Sequence, residues 1–209
     1  MPAGPDLDAL LHAIAEDGSE RAMALLSLRP DLAKASASQG ATRASPQPFF
    51  LRSIKRYVYQ GDTALHIAAG AHRPELTQAL IGLGALVRAA NRRGAEPLHY
   101  AAEGSPRDPR WNPAAQAATI AQLIRAGADA NAPTRDGATP FHRAIRTRSA
   151  AAVRALLEGG ADIGCKTRNG STPMMLARFT TGRSGSGAPQ AKRQQAEIME
   201  LLRQAGAHE

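Results

Sequence analysis

The chain predicts an all-α fold, a solenoid of stacked helix pairs joined by β-hairpin-like fingers, and three observations carry that prediction. One phrase is written four times, as Gly61-Asp-Thr-Ala-Leu-His66, Gly94-Ala-Glu-Pro-Leu-His99, Gly137-Ala-Thr-Pro-Phe-His142 and Gly170-Ser-Thr-Pro-Met-Met175. A second phrase follows each copy: Leu80-Ile81 with Gly84, Leu123-Ile124 with Gly127-Ala-Asp129, Leu156-Leu157 with Gly160-Ala-Asp162, and Leu201-Leu202 with Gly206-Ala207. The opening glycines at 61, 94, 137 and 170 stand 33, 43 and 33 residues apart by subtraction, so the middle interval is one period with an insertion. Self-similarity at such a period marks an array in which each unit buries its apolar face only against its neighbours.

The elements follow in order. Residues 6–34 hold a weaker copy, Leu11-His12-Ala13-Ile14-Ala15 with Gly18 and Leu25-Leu26, as a terminal capping unit would. In the full units Thr63, Thr139 and Thr172 offer a hydroxyl to the first free amides of an inner helix. The prolines after Glu96, Thr139 and Thr172 take the first helical position, where a missing N–H costs nothing. The inner helix then runs through small residues, Ala68-Ala69, Ala101-Ala102, Ala144 and Ala177, which let neighbouring helices approach closely. An outer helix carries the leucine pair and ends at Gly84, Gly127, Gly160 or Gly206, where a left-handed conformation suits glycine. A finger leads to the next unit, its bend supplied by Asn131 and the pairs Asp136-Gly137 and Asn169-Gly170.

The Thr-Pro-Leu-His phrase, its 33-residue period and the later Gly-Ala-Asp resemble the ankyrin repeat family over residues 61–209. The resemblance implies a single domain over 1–209, with an N-terminal capping repeat at 6–34 and an insertion or long finger at 35–60. Four repeats follow at 61–93, 94–136, 137–169 and 170–209, with further insertions near 104–113 and 180–189. It also implies a function class, since arrays of this family are interaction modules presenting a rigid concave surface to protein partners. The arrangement is similar to the free-standing ankyrin repeat proteins of bacteria, and it implies neither a cofactor nor an enzymatic activity.

Composition agrees with thin stacked layers. Of 209 residues, 43% are apolar, largely Ala and Leu, and only 4% aromatic. The single cysteine, Cys165, rules out an internal disulfide framework. The N-terminus lacks a basic region followed by an apolar run, and no stretch is long enough to span a bilayer. The expectation is a cytoplasmic monomer without membrane contact, with export by a system that reads other signals left open.

Charge directs attention to the fingers. There are 26 basic against 18 acidic residues, a net charge of +8 and a sequence pI near 10.5. Counting offsets from each opening glycine puts Arg92, Arg93, Arg135, Lys166 and Arg168 at finger tips and Arg146 at the exposed end of an inner helix. These positions line the concave face in ankyrin-like arrays, where such a row would attract an acidic protein surface. The plain alternative is a solubilising face of equal weight. A nucleic acid or other polyanion is a weaker candidate, because stacking of bases needs aromatics and the fingers offer none. A small-molecule or enzymatic pocket becomes the reading if the 35–60 and 104–113 insertions converge over the concave face.

Candidate chemical residues have structural explanations beside them. His66, His99 and His142 stand three residues after the cap, where an imidazole can bond within its own turn and to a neighbouring repeat. They recur once per layer, too far apart to share a metal. Met175 takes their place in the last repeat, which has no successor. Cys165 lies beside Lys166, which would favour its thiolate, but no histidine accompanies it in sequence. Trp111 is a candidate binding anchor, with packing of its loop on the outer helices the stronger reading. Tyr57 and Tyr59 immediately precede the first full repeat, on a strand with one face buried against the stack and alternate residues out. Glu103 and Asp108 near His99 and Tyr100 are the sole acid-base candidates. No phosphate-binding glycine loop, Cys-x-x-Cys, nucleophile elbow or His-Glu-x-x-His is present.

Overall fold

The computed structural model describes residues 5–16, 18–104, 106–179 and 189–207. The helices alternate between an inner and an outer row. The inner row is α1 (Pro5–Ala15), α3 (Ala64–Gly70), α5 (Pro97–Ala102), α7 (Pro140–Arg146) and α9 (Pro173–Arg178). The outer row is α2 (Ser19–Leu28), α4 (Pro74–Gly82), α6 (Pro113–Arg125), α8 (Ala150–Glu158) and α10 (Pro189–Gln204). Each helix packs on its pair-mate and on the next member of its own row, giving a stack rather than a single core. Most of the expected 180–189 insertion, residues 180–188, lies outside the described residues, as do 1–4 and 208–209.

Local chemistry sets the helix ends. Thr63 Oγ1 accepts the His66 amide at 3.4 Å, Thr139 Oγ1 that of His142 at 3.4 Å, and Thr172 Oγ1 that of Met175 at 3.2 Å. Asn112 caps α6 by accepting from the amides of Ala114 and Ala115. Gly84, Gly127, Gly160 and Gly206 all have positive φ at the outer-helix C-termini. Ala68, Ala69, Ala101, Ala102 and Ala144 are wholly buried between inner helices, while Leu76, Leu80, Ile120, Leu123 and Leu156 fill the space beneath the outer row.

The fingers are tight turns rather than strands. Asn91, Thr134 and Thr167 donate their amides to Ala95, Ala138 and Ser171, and successive fingers are tied by backbone bonds from Arg92 to Gln60, Arg135 to Arg93 and Arg168 to Asp136. A Cβ on Gly137 would stand 2.7 Å from the Arg168 amide nitrogen, so that glycine is needed for the close approach as well as for its positive φ. Among the described residues the only strand pair lies in the 35–60 insertion, where β1 (Phe50–Leu51) pairs antiparallel with β2 (Arg56–Tyr57). Val58 turns its side chain into the core and leaves Tyr57 and Tyr59 half-buried on either side of it.

Candidate functional site

The concave face is held in shape by its histidines. His66 Nδ1 accepts the Thr63 amide at 3.1 Å and its Nε2 bonds Ala95 O at 3.1 Å in the next unit. His99 accepts from the Glu96 amide and reaches Ala138 O at 3.2 Å; His142 accepts from the Thr139 amide and reaches Ser171 O at 3.3 Å. With Nδ1 an acceptor, the proton sits on Nε2 in all three, and each ring spans one joint of the stack. Burial pushes their pKa values down, His99 to about 4 with help from Arg143, so the rings are neutral. No group of three or more His, Cys, Asp or Glu among the described residues could hold a metal.

Between the N-terminal unit and α7 the concave face deepens into a cavity of about 750 Å³. Both insertions reach it. Lys55 in the β1–β2 turn meets Asp108 at 3.2 Å, and Arg110 donates to the Ser53 carbonyl at 3.1 Å, so residues separated by about half a hundred positions close over the same groove. Arg56 of β2 anchors the hairpin below: its guanidinium bonds the Glu103 carboxylate at 2.6 Å and the Glu103 and Tyr100 carbonyls at the end of α5. Arg143 of α7 takes the other Glu103 oxygen at 2.8 Å. Burial pushes the Glu103 carboxyl up, but the Arg56 and Arg143 guanidiniums outweigh it and hold the group below its ordinary range.

The floor is a polar cluster. Asp62, wholly buried, accepts from the Tyr100 hydroxyl at 2.8 Å, Asn91 Nδ2 at 2.8 Å and the Tyr59 amide at 2.7 Å. Burial and the adjacent Asp62 push the Tyr100 hydroxyl well above its ordinary pKa, keeping it protonated as the donor. A second network lies at the back, where buried Gln116 accepts from Trp111 Nε1 at 2.9 Å and Ser149 Oγ at 2.7 Å and donates to Ala101 O.

The sequence candidates separate on these facts. Arg93 and Arg146 line the cavity; Arg135, Lys166 and Arg168 are exposed on the fingers outside it. Arg92 does not extend that free row, because the insertion claims it: its guanidinium donates to Ala41 O and lies 5.5 Å over the Tyr59 ring. Trp111 is half-buried, its N–H spent on Gln116 and its ring part of the cavity wall. Glu103 and Asp108 do not form an acid-base pair, since each carboxylate is held by two cations, Arg56 with Arg143 and Lys55 with Arg110. Tyr100 is turned to Asp62 instead. Cys165 does have a histidine beside it, with His142 at 3.7 Å, yet burial raises its pKa rather than favouring a thiolate, and both ring nitrogens are already engaged.

The Asp62–Asn91–Tyr100 cluster, the shared Glu103 and the Gln116 network escaped sequence reasoning because their members come from different units. Two family models match the sequence, one for the ankyrin repeat over residues 60–92 and one for ankyrin repeats (many copies) over residues 123–177. The stretch between them contains the 104–113 insertion. No curated protein matches the chain.

Proposed function

Because the chain is an ankyrin repeat protein, a class whose repeats are in general protein–protein interaction modules, we propose that it acts non-enzymatically, by presenting the open part of its concave face to a partner with an acidic patch. The observation that carries this reading is the row formed by Arg135, Lys166 and Arg168, three exposed cations on fingers linked by backbone hydrogen bonds and lacking any carboxylate partner among the described residues. Backbone coupling fixes the spacing of the row before a partner arrives, so little ordering entropy is lost on binding. Unscreened guanidinium and ammonium groups steer an acidic surface and act chiefly on the association rate. The proposed setting is a cytoplasmic monomer, and no described helix is long and apolar enough to cross a membrane.

Affinity capture with the intact protein and with the Arg135→Glu, Lys166→Glu, Arg168→Glu variant tests this reading. Proteins lost from the variant should carry acidic patches and should associate at least about tenfold more slowly with it at low salt, with the melting temperature unchanged. Partners that bind both forms at equal rates sink the proposal.

A second reading concerns the closed part. The meeting of the two insertions supports a pocket for a small molecule, because about 750 Å³ lies within the usual range for such sites, roughly 300–1,000 Å³.

A further inference from the structure

We propose that the cavity beneath the two insertions binds a small phosphomonoester, with its phosphate held by Arg93, Arg146 and the hydroxyls of Tyr57 and Tyr59 and its organic part against Trp111; this rests on the small-molecule reading of the closed part. Charge is the first argument. The described cavity wall contains seven Lys and Arg side chains against four carboxylates, a surplus of three positive charges. The carboxylates that come nearest to neutralising it are already shared, Glu103 between Arg56 and Arg143 and Asp108 between Lys55 and Arg110. Arg93 and Arg146 form no close ion pair among the described residues: Arg93 donates to the Tyr59 hydroxyl and lies 5.1 Å over its ring, and Arg146 acts on Glu103 only at longer range. A phosphomonoester carries close to two negative charges at neutral pH, which matches two guanidiniums without a close ion pair better than a single carboxylate would.

Hydrogen-bond direction is the second argument. Arg93 Nη1 donates to the Tyr59 hydroxyl at 3.1 Å, so that oxygen is an acceptor there and its own proton is left to donate. Neither the Tyr57 nor the Tyr59 hydroxyl donates to any described residue, and both residues line the cavity. Arg93, Arg146 and the two hydroxyl protons are therefore all donors, whereas a phosphate offers three strong acceptor oxygens. A cationic or purely donating ligand would leave them unpaired.

The third argument is shape. Trp111 contributes a flat face whose N–H is satisfied within the protein by Gln116, leaving an apolar wall suited to carbon rather than to a further charge. The Arg56 anchor and the Lys55–Asp108 contact narrow the groove on the side of the insertions, which favours a ligand of a few hundred daltons over an extended chain.

Trp111 is the only tryptophan, so its fluorescence reports on this cavity alone. Titration of the full chain with ribose 5-phosphate should give a saturable change, confirmed by calorimetry. Arg93→Gln and Arg146→Gln should each weaken binding about tenfold or more, and the double variant should abolish it, since each removes a charge-assisted contact. Arg125→Gln, on the outer helix α6, should bind as the parent does. Inorganic phosphate should bind more weakly than the ester, because it cannot use Trp111. Saturation by ribose or citrate but not by the ester would overturn the phosphate assignment while leaving the pocket reading standing. Silence from every probe would overturn the pocket reading as well. A neutral peptide carrying one phosphoserine that outcompetes ribose 5-phosphate would place the phosphate on a protein chain and overturn the small-molecule proposal.

Discussion

From α1 to α7 the concave face lies under a hairpin and a loop, while beyond α7 it is open, although the same repeat builds both parts. The closed part is joined twice. His66 and His99 link its layers through backbone carbonyls, and Arg56 ties the β1–β2 hairpin to Glu103, which Arg143 ties in turn to α7. The open part has the His142 joint and then Met175, exposed to 49%, where a fourth histidine would stand. The repeat therefore supplies the stack in both places, and the interruptions of the repeat supply the cavity in one. A partner surface can reach the open fingers, whereas the groove on the other side is narrowed where the insertions meet at Lys55 and Asp108.

The largest test of this difference removes a joint in the closed part and, in the open part, the side chain that stands where a joint would be. His99→Ala should cost about 2–4 kcal/mol, because it strands the buried Glu96 amide and leaves a void between layers, while the Ala138 carbonyl keeps its bonds from Thr134. Met175→Ala, at the exposed end of the stack, should cost less than about 0.5 kcal/mol. Urea unfolding of the two variants measures both; equal losses would mean that the joints do not distinguish the parts.

Acidification should separate the parts next. Burial, with Arg56 assisting, pushes His72 down to about 4, and burial with Arg143 does the same to His99. Unfolded histidine titrates near about 6.5, so between those values the unfolded chain binds protons that the folded chain does not. Stability should be level above pH 6.5, fall as pH drops towards about 4, and fall further below the ordinary carboxylate range as Glu103 loses its charge between two guanidiniums. Three of the depressed histidines, His66, His72 and His99, lie on or just after α3 and α5, and only His142, on α7, stands at the boundary with the open part. Melting temperatures from pH 8 to 4, with amide exchange at pH 5, should show protection lost first around α3 and α5. A flat profile, or earlier loss around α9, would reverse the comparison.

What could be foreseen also divides along this line. Caps, first-turn prolines and left-handed glycines act within a few residues, so Thr139-Pro140, Gly84 and Gly127 announce their elements wherever they stand. The cavity depends on Lys55 meeting Asp108 and on Arg56 meeting Glu103, pairs whose partners belong to separate insertions and repeats and which no local pattern specifies. Arg92 stands at the finger tip that its offset marks, but its guanidinium donates to Ala41, from an insertion outside the repeat count, a contact that no offset specifies. Cys165 is the reverse case. Repeat arithmetic could have found His142 beside it, because a finger that leads into the next unit passes over the inner-helix start of the unit it leaves.

The smallest effect belongs to the contact between the insertions. Asp108 accepts from Lys55 at 3.2 Å and from Arg110 at 3.2 Å, and these cations hold its carboxyl far below the ordinary range. Lys55 and Arg110 are well exposed, so water replaces these bonds readily and Asp108→Asn should leave the unfolding midpoint unchanged. Its consequence should instead be local. Without Asp108 to orient it, Arg110 has less reason to remain on Ser53 O, and the β1–β2 turn keeps only the Arg56 anchor. Amides at 50–58, including the Val58 bond to Phe49, should then exchange faster, while those of the His142 joint keep their rates. Unchanged exchange at 50–58 would show that Arg56 alone holds the hairpin, and that the two insertions meet over the groove without bracing one another.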